Sequence, residues 1–159
     1  MQYPKILKSD AFGEFKREGS EDSLFLGHTY ETTLDIDGFQ NVEVFYSPGI
    51  TGPITKQKHL KLISNFKSAE VMYSELMQKK PSALLKLQHA KLKVLADEYG
   101  FEELDASEAD LYRDWNLQNV ILFGDGIRLI FFGNTVFPGL DLILEYDEAW
   151  KLQELHFDG

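Results

Sequence analysis

The apolar positions of this chain fall into three blocks, and the spacing within each block predicts one type of element. From about residue 12 to residue 46, apolar residues alternate with polar ones, which is typical of strands that bury one face. The first block is therefore predicted to be β-structure. Its defining apolar positions are Phe12, Phe15, Leu24, Phe25, Leu26, Leu34, Ile36, Val42, Val44 and Tyr46.

A turn is predicted at Asp37-Gly38, between the last two strands of this block. A strict two-residue loop would divide the apolar residues between the two faces of the sheet. One additional residue in the connection places Leu34 opposite Val42 and keeps the apolar set together. We therefore expect a bulge or a longer loop near residues 39 to 41.

The second block has helical spacing. Its apolar residues recur at steps of four and three, which predicts an amphipathic helix from about residue 56 to residue 79, with Thr55 as N-cap. Pro81 ends that helix, Ser82 is a candidate cap for the next, and Gly100 is expected to end the second helix. Two consecutive helices of this kind can cover one face of a sheet.

The third block is predicted to be a β-meander that opens with a hairpin apolar on both sides, residues 120–123 and 129–132. Because side chains along a strand point alternately to opposite faces, both faces of this hairpin need cover. The helices account for one face. For the other face we expect the N-terminal strand to fold over it, with the loop at residues 136–138 or a second subunit as alternatives.

These blocks predict an α+β fold with a mostly antiparallel sheet, in which two consecutive helices are inserted between an N-terminal strand block and a C-terminal β-meander. Residues 1–159 suit a single globular domain, because a chain of this length can bury a sizeable core. It contains no repeat and no stretch resembling an interdomain linker.

Charge excludes some classes of partner. The chain carries a net charge of −10, which disfavours nucleic acid, since binding to phosphates depends on lysine and arginine. Residues 56–93 nevertheless hold nine lysines against Glu70 and Glu75, which fits the solvated side of two helices and, as the alternative, a basic strip for an anionic partner. No apolar segment is long enough to span a bilayer, and cysteine is absent. We therefore expect a cytoplasmic protein that does not enter membranes.

Catalytic chemistry has no clear signature. His28, His59, His89 and His156 are scattered without zinc-ligand spacing, and no serine lies in a nucleophile-type turn. The glycines at 124, 126 and 133 precede no predicted helix, so turn geometry explains them better than phosphate binding. We predict no catalytic residue, no cofactor and no metal, and we treat an enzymatic role as undecided and less favoured.

One acidic stretch is a candidate for binding a partner. It runs from Asp97 to Asp114 with Arg113 as its single basic residue, and it suits a basic protein, although a solvated loop is the alternative. The loop at residues 136–138 is apolar between two glycines, and its Phe137 is a candidate anchor, with packing over a core edge as the alternative. The candidate partner-binding residues are Glu102, Glu103, Asp105, Glu108, Asp110, Tyr112, Asp114, Trp115 and Phe137.

The chain combines the helix pair with short motifs at residues 12–15, 106–111, 146–150 and 157–159. Together these landmarks resemble a group of small uncharacterised bacterial α+β domains, some of which are associated with toxin-immunity loci. The resemblance implies a binding role in a bacterial cytoplasm and brings no catalytic residue with it.

The sequence therefore favours a non-enzymatic protein-binding domain, with an immunity-type inhibitor of a basic toxin as its specific form. Two alternatives stay open. One is a small-molecule binder or hydrolase with a pocket between helices and sheet. The other is a structural homodimer that meets through the second face of the hairpin.

Overall fold

The computed structural model describes residues 2–18, 28–104 and 106–159. In this part of the chain eight strands form one sheet in sequence order, and three helices lie between the fourth and the fifth strand. The α+β class and the mostly antiparallel sheet are confirmed. The elements are β1 (Ile6–Ser9), β2 (Gly13–Glu18), β3 (Thr29–Ile36), β4 (Phe39–Tyr46), α1 (Lys56–Lys79), α2 (Pro81–Leu87), α3 (His89–Glu98), β5 (Asn116–Leu122), β6 (Gly126–Phe132), β7 (Asp141–Asp147) and β8 (Leu152–Asp158).

The sheet consists of two four-stranded antiparallel meanders that meet at its centre. β4 and β5 pair in parallel, with Val44 opposite Val120 and Tyr46 opposite Leu122, whereas every other neighbouring pair is antiparallel. A parallel pair needs a long crossover connection. The helical segment between β4 and β5 supplies this crossover, which explains why the helices interrupt the strands at this point.

The helix boundaries follow local signals. Thr55 caps α1, because its side chain accepts a hydrogen bond from the Lys58 amide, as predicted. Pro81 occupies the first turn of α2, where its missing N–H costs no hydrogen bond. The predicted second helix is divided in two at Gln88, which separates α2 from α3. The Ser82 side chain donates to Asp37 in the β3–β4 turn instead of capping the helix.

The predicted bulge is confirmed. Leu34 pairs with Val42 and Thr32 with Val44, and the register shifts between Leu34 and Ile36. Asn41 lies on the β4 side of this shift with φ of 53°, a conformation that asparagine tolerates better than most residues. The bulge keeps the apolar residues of both strands on one face of the sheet.

The core lies between the helices and one face of the sheet. Tyr46 of β4 donates from its hydroxyl to the carbonyl of Leu62 in α1 at 2.7 Å, which joins the two layers. Phe15 of β2 stacks edge-on against Phe66 of α1. Burial raises the pKa of Tyr46, as expected of a phenol enclosed by apolar side chains.

One expectation is wrong. The N-terminal strands do not fold over the second face of the 120–132 hairpin, because β1 and β2 extend the sheet in its own plane beside β3. Their apolar side chains, Phe12 and Phe15, pack with Phe66 on the helix side. The predicted strand at residues 24–26 lies outside the described residues.

The loop at residues 136–138 does not cover that face either. Phe137 is buried and packs against Phe157 and Phe101 at the helix side of β8. Of the three covers expected for the hairpin, the described N-terminal strands and this loop therefore pack elsewhere in the fold.

Among the described helices none is long and apolar enough to cross a membrane.

Candidate functional site

The sheet face opposite the helices, which we call the open face, carries an apolar band across its centre. Register places Phe45 beside Ile121 and Ile130 beside Ile143. Val120, Leu129 and their neighbours belong to the buried core, whereas these four side chains are outside it. Residues that alternate with core residues must point away from the helices, so the band lies on the far side of the sheet.

The band is only partly exposed. Phe45, Ile121 and Ile130 are half-buried and Ile143 is 7% exposed, whereas Phe132 at the end of β6 is 41% exposed. No described helix packs on this face, since α1 and α3 contact β5, β6 and β8 from the core side. A contiguous apolar patch on a sheet is typical of an interaction surface.

Carboxylates surround this band and outnumber the basic side chains. Their positions follow from strand alternation and register. The carboxylates on the open face belong to Glu14, Glu18, Glu31, Glu43, Asp141, Glu145, Glu154 and Asp158, and the basic side chains to Lys8, Lys16 and Arg128. The lysines of residues 56–93 lie on the helical layer and its connections, on the opposite side. The acidic open face and the lysine-rich segment therefore lie on opposite sides of the sheet, although the acids that follow α3 share the side of the lysines.

The three basic residues of the open face are not all available. Arg128 binds Glu145 through two nitrogens, at 2.9 and 2.8 Å, and lies over the Phe123 ring. Lys8 is within 3.8 Å of Glu14 at the β1 edge of the sheet. Lys16 is the register partner of Glu31 but forms no ion pair with it, so the acids of β3 and β4 have no ion pair among the described residues.

Glu31 shows the effect of this crowding. It lies between strands that carry Glu18 and Glu43, and its pKa is raised first by partial burial and then by the negative charges of Glu43 and Glu18. Glu43 accepts a hydrogen bond at 3.1 Å from Asn119 across the parallel pair. A cation placed beside Glu31 would relieve the repulsion between these carboxylates.

The acidic stretch predicted as a partner site is held against α3 by specific contacts. Glu108 accepts a hydrogen bond from His89 at 2.6 Å and lies 3.8 Å from Lys93. This hydrogen bond and the Lys93 charge lower the pKa of Glu108. Asp110 accepts from both the amide and the hydroxyl of Ser107, in a capping box that opens the short 3₁₀ turn at residues 108–111, and these bonds lower the Asp110 pKa.

The aromatic members of that predicted set are structural in this conformation. The Trp115 indole donates to the Leu111 carbonyl at 2.6 Å, and the side chain is 6% exposed beside Phe157. The Tyr112 ring packs on His89 and its hydroxyl donates to the His89 carbonyl. Phe137 also packs on Phe157, so it does not present an exposed anchor.

The remaining members of the set lie apart from one another. Glu102 and Glu103 are exposed in a short 3₁₀ turn after α3, and Asp114 is exposed at a residue with φ of 63°. Asp105 lies outside the described residues. The structure therefore brings Glu108, Asp110 and Tyr112 together at the α3 surface and does not assemble the nine residues into one patch.

The cavities in the described part of the chain are open depressions rather than enclosed pockets. A depression of about 390 Å³ lies where parallel β4 and β5 end, and its polar side chains include Lys61, Asn65 and Asp125. A general acid and base pair needs two titratable groups within reach of one substrate. Two further depressions group carboxylates, Asp125, Glu145 and Asp147 in one and Glu14, Glu18 and Glu31 in the other, and a third is lined by Glu154 and His156. No group of three potential metal ligands occurs among the described residues.

Comparison with protein-family models, with curated proteins and with solved structures returned no match to this chain. The candidate site is therefore argued from its geometry alone.

The sequence analysis did not identify the open face as a surface, although the sequence carried a signal for it. The apolar residues on both sides of the 120–132 hairpin already required a second covered face, and register now identifies Ile121 and Ile130 as residues of that face.

Proposed function

We propose that the protein is a non-enzymatic binding domain that takes a basic protein on the open face of its sheet. The observation that carries the proposal is the combination of an apolar band with a carboxylate border on a face that no described element covers. Protein interfaces commonly have an apolar centre and a polar rim. A partner with lysines and arginines around an apolar centre would complement both parts.

Charge favours such a partner over a second copy of this chain. Two copies that met through the same face would bring Glu31, Glu43 and Glu154 of one copy towards carboxylates of the other. Like charges brought together at an interface cost several kcal/mol. A basic partner reverses that sign and would also lower the repulsion around Glu31. The homodimer is therefore the weaker interpretation of the same apolar band.

The immunity-type role is the specific form of this proposal. In such a pair the basic partner would be a toxin, and binding would block its activity by covering its positive surface. The resemblance to domains from toxin-immunity loci supports this form, and the negative open face gives it a physical basis. Encounter between oppositely charged surfaces would be fast at low salt and slower as salt screens the charges.

The test compares two variants with the same change in net charge. In the first, Glu31→Lys and Glu43→Lys reverse the border of the open face. In the second, Glu102→Lys and Glu103→Lys reverse exposed acids of the stretch after α3. Wild-type protein immobilised at low salt is used to capture proteins from the source cells. The captured protein is then purified and titrated against all three forms.

We expect a basic partner whose affinity falls at least about tenfold with the open-face variant and changes little with the control.

A second matched pair of variants tests the apolar band of the open face. Phe132→Ser on the open face should weaken binding, whereas Leu87→Ser on α2, which is more exposed, should not. Loss of binding only with the 102 and 103 variant would move the site to the acidic stretch. Failure to capture any basic protein would overturn the proposal.

A further inference from the structure

The two edges of the sheet are unequal. β1 is four residues long, follows Pro4 and contains Lys8, features that discourage pairing with another strand. β8 has seven residues, Leu152–Asp158, with neither proline nor lysine. The register shift between β7 and β8 lies at Gln153, so residues 154–158 pair regularly with β7. Their other side has no neighbouring strand among the described residues.

The outer backbone of β8 is free in the described part of the chain. In an antiparallel pair, alternate residues direct their N–H and C=O groups away from the partner strand. β8 is the edge strand of the sheet. Among the described residues, only those of β7 form backbone hydrogen bonds with residues 154–158. A row of free donors and acceptors of this length is a template for one more strand.

A groove runs beside this edge. α3 lies over the helix side of β8, and the space between them is a depression of about 300 Å³. Val94 and Leu95 of α3 and Leu152 and Leu155 of β8 form the apolar part of its lining, and Lys91, Glu98, Gln153 and Glu154 form the polar part. Val94 is 62% exposed, although it faces this lining. The groove can accept an apolar side chain from a strand that pairs with β8.

The opposite side of the same edge is acidic. Glu154 and Asp158 of β8 point to the open face, and His156 between them lies 3.6 Å from Glu154. Side chains of an added strand would alternate between the apolar groove and this acidic side. The edge therefore matches a segment in which apolar and basic residues alternate.

We propose that β8 and α3 form a site for an extended peptide segment of alternating apolar and basic residues, which adds to the sheet as a ninth strand. Backbone hydrogen bonds to β8 supply affinity, and the groove at Val94 and Leu155 supplies selectivity for the apolar positions. Two copies paired through β8 would place Glu154 and Asp158 against each other's carboxylates, so a basic segment fits better than a second copy. This site does not depend on the function proposed for the open face.

The probe is a capped nonapeptide of alternating lysine and valine, titrated into isotopically labelled protein and followed by backbone amide chemical shifts. Two control peptides have the same side chains but carry N-methyl groups on alternate backbone nitrogens, one on the nitrogens that face β8 and the other on those that point away. We expect the largest chemical-shift changes in residues 152–158 and in α3. The peptide methylated towards β8 should bind at least about tenfold more weakly than the parent peptide, and the other should bind like the parent.

A pair of protein variants separates the groove from general surface charge. Val94→Gln removes the apolar contact, whereas Val71→Gln makes the same change at a site of similar exposure on α1. We expect binding to weaken about three- to tenfold with Val94→Gln alone. Equal binding of both methylated peptides, shifts confined to the open face, or no binding at about 1 mM would each overturn the proposal. Sedimentation of the protein alone as a dimer that the peptide does not dissociate would assign the edge to a second copy.

Discussion

Glu31 and Glu43 lie on the same face of neighbouring antiparallel strands, and the charge of Glu43 adds to the effect of burial in raising the pKa of Glu31. Neither carboxylate has an ion pair among the described residues. Like charges on neighbouring strands destabilise a sheet, and a cation or a basic partner beside them would offset this cost. This relationship ties the electrostatics of the sheet to its proposed use as a binding surface.

Removing one of these charges should stabilise the free protein. Because the folded-state pKa of Glu31 is above its unfolded value, the ionised carboxylate opposes folding as pH rises through this range, and the penalty is absent when it is protonated. We expect Glu31→Gln to raise Tm by about 1–3 °C at pH 7 and to have no effect below about pH 4. Thermal unfolding at both pH values measures this. An equal effect at the two pH values would contradict the electrostatic cause.

Adjacent residues of β6 should differ sharply in their contribution to stability. Leu129 is fully buried in the core, whereas Ile130 belongs to the band on the open face. We expect Leu129→Ala to lower the free energy of unfolding by about 3 kcal/mol and Ile130→Ala by about 1 kcal/mol. Denaturant titration of the two variants gives both values. Equal losses would show that the open face is covered in the free protein.

Two glycines of the β5–β6 hairpin differ in what a side chain would meet. A Cβ on Gly126 would lie 2.6 Å from the backbone carbonyl oxygen of Tyr146, which cannot move without disturbing β7. A Cβ on Gly124 would meet the end of the Asn65 side chain, which can rotate away. We expect Gly126→Ala to cost about 1–3 kcal/mol and Gly124→Ala less than that. Chemical denaturation compares them, and the reverse order would contradict the geometry.

The contact between Glu108 and His89 should hold the acidic stretch against α3. The Glu108 pKa is lowered by the His89 hydrogen bond and by Lys93, so this contribution is present above the ordinary carboxyl pKa and is lost as pH falls through the lowered value. We expect Glu108→Gln to increase amide hydrogen exchange in residues 106–112 at neutral pH. Glu102→Gln, at an exposed site outside this contact, is the control and should leave exchange there unchanged.

Much of the fold could be predicted because its elements carry strong local signals. The period of four and three in α1, the Thr55 cap and the alternation of Leu34, Val42 and Val44 are properties of short segments. The break at Gln88 between α2 and α3 has no comparable signal, since the apolar stripe continues through it. The candidate site was harder to predict, because the acids of the open face are far apart in sequence.

The sequence by itself determined the α+β class, the bulge in the first hairpin and the apolar character of both faces of the 120–132 hairpin, because side-chain alternation and apolar spacing act over a few residues. Tertiary structure decided where the cover is missing. The parallel pairing of β4 with β5 put all three helices on one face, and β1 and β2 joined the sheet in its plane. Phe45, Ile121, Ile130 and Ile143 became one surface only through register between strands that are distant in the chain.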